Sequence, residues 1–227
     1  MEMNLYVGPL TRYYTGNWGD EKQQGDSEGG LPAETVQEIV SHWRDSVLGA
    51  ITDSIGQSNE WTESNEGPYW ATELGETAFG ALLLYAAAKV YGEPYPGEVS
   101  ADWDFTGEPL IQRAMDDQTL SWSLFKRAQW WLPLEHPLML QGETPTGDQI
   151  TIATAGALLL ELLRINELGW KADEDVVLSW QEKEGYSVQG TEKTGYSVVS
   201  LARYAYSILW QAVKFSLQNR APILLEE

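Results

Sequence analysis

The sequence predicts a mainly α fold with a minor β part (α+β): a single-domain helical core of five or six helices over residues 1–227, with a small antiparallel β-hairpin or sheet. Three observations predict it. Apolar residues recur at helical spacing in several long windows, a strand–turn–strand signature stands between residues 138 and 153, and no linker of domain-separating composition divides the chain. An apolar fraction of 43% in 227 residues is enough for a substantial core.

Residues 4–14, NLYVGPLTRYY, are aromatic and β-branched and are interrupted by Gly8-Pro9. They read as a strand with a break, or as two short extended pieces. Residues 15–30 are polar and hold five glycines, as in a surface loop, and GDSEGG lacks the lysine and the charge of a phosphate-cradling loop. Pro32 suits a first helical position, and Val36, Ile39, Val40, Trp43, Val47 and Ile51 follow at helical spacing. The acidic stretch 56–67 reads as a loop. Pro68 is expected to open a second helix running to about Tyr91, whose half ALLLYAAAKV is apolar nearly all round and therefore deeply buried.

Residues 93–107, with Pro94, Pro96 and Gly97, read as irregular, and Pro109 starts a short helix to about Asp116. The Trp-rich stretch 120–132 reads as helix until Trp130. Residues 138–141 can pair with 149–153 across GETPTG. The stretch 145–170 is expected to be the piece the rest packs around: Ala155, Leu158, Leu159, Leu162, Leu163 and Ile165 share one arc, with Glu161, Arg164 and Glu167 opposite. Asp173 is a candidate N-cap for a short helix through Trp180. The two GYSV copies at 185–188 and 195–198 are too short for a repeat and suggest coincidence or a local hairpin. A last helix is expected over 197–219, before Pro222.

Charge is the strongest compositional signal: 34 acidic against 14 basic residues, net −20. Such a surface repels phosphate backbones and anionic membranes, so no nucleic-acid and no membrane partner is expected. It attracts basic proteins. Solubility alone is the plain alternative. A halophilic origin is a third, disfavoured because the surplus lies in Glu rather than Asp and the apolar content is not reduced. The absence of cysteine excludes disulfides, thiolate metal sites and cysteine nucleophiles. No secretory signal or apolar span is visible, so a soluble, cytoplasmic protein is expected.

Asp102-Trp103-Asp104-Phe105-Thr106-Gly107 is the best chemical candidate. Its DxDxT pattern resembles the first motif of haloacid-dehalogenase-like phosphatases, which implies Asp102 as nucleophile and Asp104 as acid/base at the end of an apolar strand. The preceding PYPGEVSA is not such a strand. The same residues resemble the start of an EF-hand calcium loop, but Arg113 stands where that loop needs its bidentate Glu. His42 and His136 are the only histidines; neither has a metal-binding companion, and no serine has a GxSxG setting. No catalytic residue, metal or cofactor is expected.

These readings favour a non-catalytic acidic binding protein docking a basic protein partner. In charge, size and lack of catalytic motifs it resembles immunity proteins or inhibitors of bacterial nuclease toxins. The expected docking residues are Glu60, Trp61, Glu63 and Glu66 in one acidic loop and Asp102, Trp103 and Asp104 in another. The alternatives are a carboxylate-dependent carbohydrate-active hydrolase, favoured by eleven tryptophans, and a structural or phage-associated subunit.

Overall fold

The computed structural model describes residues 3–18, 31–56, 60–100, 102–189 and 195–226. Its framework is a six-stranded mixed sheet in the order β2-β1-β8-β4-β6-β5. The strands are β1 (Asn4–Val7), β2 (Trp70–Glu73), β4 (Trp130–Leu132), β5 (Met139–Glu143), β6 (Gln149–Thr154) and β8 (Ile223–Glu226). β4 and β6 run parallel, with Trp131 opposite Ala153, and the other neighbours are antiparallel. A separate two-stranded ladder joins β3 (Glu98–Val99) to β7 (Tyr196–Ser197).

The mainly α expectation, with five or six helices and only a small antiparallel hairpin, is therefore corrected: the sheet is a full layer. The expected hairpin exists as β5–β6, with Leu140 opposite Ile152. What the spacing did not reveal is that strands of three or four residues join it from remote places. Trp130-Trp131-Leu132 and Ile223-Leu224-Leu225 are covered on both faces, so they are continuously apolar and show no period of two. Pro68 precedes a strand rather than a helix, and Gly75, at φ +77°, turns the chain into α3 (Glu76–Tyr91).

Alternation within the strands assigns the two faces. Leu5, Val7, Trp131, Ala153, Ile223 and Leu225 point to one side, into a core shared with α3, α4 (Pro109–Asp116), α5 (Ala155–Leu168), α6 (Glu174–Lys183) and α8 (Val198–Asn219). Tyr6, Trp130, Leu132, Ile152 and Leu224 point to the other, against α1 (Leu10–Tyr14) and α2 (Ala33–Ile55). The result is three layers. α3 is buried from Ala78 through Ala88, as its all-round apolar sequence predicts, and it rather than α5 is the innermost helix.

α5 has its expected bounds but is rotated about its axis. Leu160 and Leu163 are 53% and 45% exposed, while Glu161, expected on the solvent side, is only 5% exposed. Asp173 holds the N-cap position of α6 without a side-chain bond. The two GYSV segments form no hairpin with each other: Tyr186 begins the short helix α7 (Tyr186–Gln189) and Tyr196 pairs in β7. Of the expected glycine-rich loop at 15–30, residues 19–30 lie outside the described residues.

Candidate functional site

Two adjoining cavities open beside the N-terminal end of α3. The first, about 520 Å³, is an acidic cleft lined by Glu73, Glu76, Asp102 and Asp104, with Trp103 and Tyr186 on its walls. Local chemistry explains its shape. Phe105 is buried and lies over Gly80, where a Cβ would come within 2.5 Å of it. The Asp104 carboxylate accepts from the Thr106 N–H at 2.8 Å and the Thr106 hydroxyl at 2.6 Å, and these bonds hold it below the usual carboxylate range. The ring thus pins the loop from below while Asp102 and Asp104 remain in solvent.

The opposite wall depends on Gly75. A Cβ there would meet the Tyr186 hydroxyl at 2.8 Å, and that hydroxyl oxygen accepts from the Ala78 N–H at 2.9 Å in the first turn of α3. Neither the Glu73 nor the Asp102 carboxylate has an ion-pair partner among the described residues. Nor do the acids converge on a point: among the described residues no three His, Asp or Glu side chains are grouped to hold a metal ion. The cleft is an extended negative surface with two aromatic faces.

The second cavity, about 420 Å³, shares Glu76 and Thr106 with the first. Its inner surface is apolar, built by Phe79, Leu83, Phe105, Met115 and Leu124. Its rim is polar and comes from the end of the sheet, with Gln129, Gln141, Gln149 and Thr151, and from the turn carrying Arg127. That volume is in the range of small-molecule pockets.

The wall holding Leu124 and Arg127 is anchored by the buried acid of α5. Glu161 accepts from the Ser123 N–H at 2.5 Å, the Leu124 N–H at 3.1 Å and the Ser123 hydroxyl at 3.0 Å. Ser123 in turn accepts from the Trp131 indole at 2.8 Å. Burial pushes the Glu161 carboxyl up to about 7 against the opposing pull of these donors.

The two expected docking loops meet different fates. Asp102, Trp103 and Asp104 lie together in the cleft. Trp61 and Glu63 are drawn inside, at 3% and 5% exposure. Glu63 accepts from the Trp61 indole at 2.8 Å and from the Thr11 N–H at 2.9 Å, and burial raises its affinity for a proton. Glu60 and Glu66 are exposed but line neither cavity. His42 and His136 are exposed and also outside both.

Sequence reading missed Glu73, Glu76, Tyr186 and Arg127. The one available signal was Gly75, a helix-weakening residue between two acids inside an expected helix. Among the described residues no helix is long and apolar enough to cross a membrane. The chain matches no protein-family model, no curated protein and no solved structure.

Proposed function

We propose that the chain is a binding protein that docks a basic protein partner, in the manner of an inhibitor or immunity protein, and that the cleft of Glu73, Glu76, Asp102 and Asp104 is its contact. The observation that carries this reading is the composition of the cleft. Four carboxylates stand around two aromatic faces, and among the described residues Glu73, Asp102 and Asp104 have no ion-pair partner. Lys or Arg side chains of a partner would find opposite charge there and a ring face on Trp103 or Tyr186. The net charge of −20 would speed encounter and make it sensitive to salt.

A carbohydrate hydrolase would draw on the same cleft, since Trp103 stands beside carboxylates as a sugar-stacking residue would. Such a reaction needs one acid with a raised proton affinity. The Asp104 carboxyl is held below the usual range by its bonds from Thr106, the opposite of what a general acid needs. Docking is the better account.

The test is a capture from native lysate with the wild-type chain and with a D102K/D104K variant, at low and high salt. A basic protein retained by the wild type, released by salt and not retained by the variant is the expected result. Equal retention by the variant, or glycoside turnover abolished by it, overturns the reading.

A further inference from the structure

The apolar cavity is not explained by docking through charge, and it holds Arg127, among the described residues the one basic side chain lining either cavity. In a chain with 34 acids, most described cations are engaged. Arg44, Arg113, Arg164, Arg203 and Lys214 form ion pairs, Arg12 packs on Tyr69, and Lys126 donates to two carbonyls. Arg127 has no hydrogen-bond or ion-pair partner among the described residues. It is exposed, at the mouth of the cavity.

Its backbone is also unusual. Arg127 has φ +54°, in the left-handed region that disfavours every residue with a Cβ. The turn closes like a helix end. Lys126 N–H donates to Trp122 O at 3.0 Å and Ala128 N–H to Ser123 O at 3.0 Å, which leaves Arg127 where glycine is usual. The strain is held from both sides. Glu161 grips Ser123 and Leu124, and the Lys126 ammonium donates to Met115 O at 2.6 Å and Asp117 O at 2.9 Å. A strained residue held this firmly, with a free guanidinium at a cavity mouth, has the character of a ligand clamp.

We infer that this cavity is a binding site for a small amphipathic carboxylate, its apolar body lying among Phe79, Leu83, Phe105, Met115 and Leu124 and its head group meeting Arg127. The guanidinium offers paired N–H donors that match a carboxylate. Glu76, at the boundary with the acidic cleft, sets the direction: the anionic head belongs at the Arg127 side and away from the shared wall. The inference stands apart from partner docking, which reads out through Asp102 and Asp104.

The test compares decanoate, decanol and decylammonium by calorimetry at physiological salt and below their aggregation concentrations. The net charge of the chain opposes an anion and favours a cation, so head-group preference reports the local guanidinium. Decanoate is expected to bind with one-to-one stoichiometry and at least about tenfold more tightly than decanol. Arg127→Gln should reduce decanoate to the decanol level without changing decanol, and Gln129→Trp, at the exposed rim, should weaken both. Decylammonium binding tightest, equal affinities for decanoate and decanol, no effect of Arg127→Gln, or no saturable binding of any probe overturns it. D102K/D104K should leave decanoate binding in place, so this result and the docking result can fail separately.

Discussion

Two short acidic segments built around a tryptophan end in opposite environments. In Glu60-Trp61-Thr62-Glu63 the tryptophan and one acid are interior. In Asp102-Trp103-Asp104 both acids stay in solvent around a cleft. The difference is the origin of the donors. Glu63 is met by the N–H and hydroxyl of Thr11, 52 residues away, whereas Asp104 is satisfied by Thr106 within its own turn. Glu161 repeats the first pattern, with donors from a turn 37 and 38 residues earlier. An acid goes inside where a remote element delivers fixed N–H groups, and an acid served locally remains available to a ligand.

The largest expected consequence is in stability. Glu63→Ala strands the buried Thr11 N–H and the Trp61 indole, and should cost about 3 kcal/mol. Asp102→Ala, at an exposed position with no hydrogen-bond or ion-pair partner among the described residues, should leave the urea midpoint unchanged. Chemical denaturation of the two variants side by side checks both. Equal losses would mean that the 102–104 loop is structural after all.

The same distinction marks what was legible beforehand. Three helices were placed closely: α4 begins at Pro109, α5 spans 155–168, and α8 begins within a residue of expectation, whereas α3 begins eight residues after the expected Pro68. The sheet was hidden because its strands are short and its inner ones are apolar on both faces, so alternation never emerges. The rotation of α5 that buries Glu161 was hidden for another reason. A carboxylate on a helix reads as solvated unless its donors are known, and Ser123 and Leu124 come from a stretch that itself read as helix. In the site, the DWDFT run was visible as a candidate, but Glu73, Glu76 and Tyr186 reach the cleft only through the turn at Gly75. Arg127 carried no signal, because an unpaired cation is recognised by the absence of neighbours in space.

A second consequence is a pH dependence with opposite signs for inside and outside acids. Glu161 binds its proton more tightly folded than unfolded, so its stabilising contribution is complete below the usual glutamate range and is lost as pH rises through about 7. Between about pH 7.5 and 5.5 the folded state should gain about 2 kcal/mol from this group. Glu63 acts in the same direction. Asp117, held down to about 2 by Thr119 and Tyr91, contributes above the usual aspartate range and loses its contribution as pH falls toward 2. Stability should therefore rise on mild acidification and fall again in strong acid. Glu161→Gln should flatten the rise between pH 7.5 and 5.5 in denaturation curves, and an unchanged slope would remove Glu161 as its source.

The smallest effect bears on whether Arg127 serves the fold or a ligand. Its left-handed backbone costs about 1 kcal/mol that glycine would not pay, and glycine returns about half of that by loosening the unfolded chain. Arg127→Gly should therefore be stabilising by about 0.5 kcal/mol. Glu63 and Glu161 cannot be removed so cheaply, because buried donors depend on them, whereas no described donor or acceptor depends on the Arg127 side chain. A clear loss of stability would show that the guanidinium supports the turn itself. A gain accompanied by loss of decanoate binding places Arg127 with Asp102 and Asp104, among the charges the fold can do without.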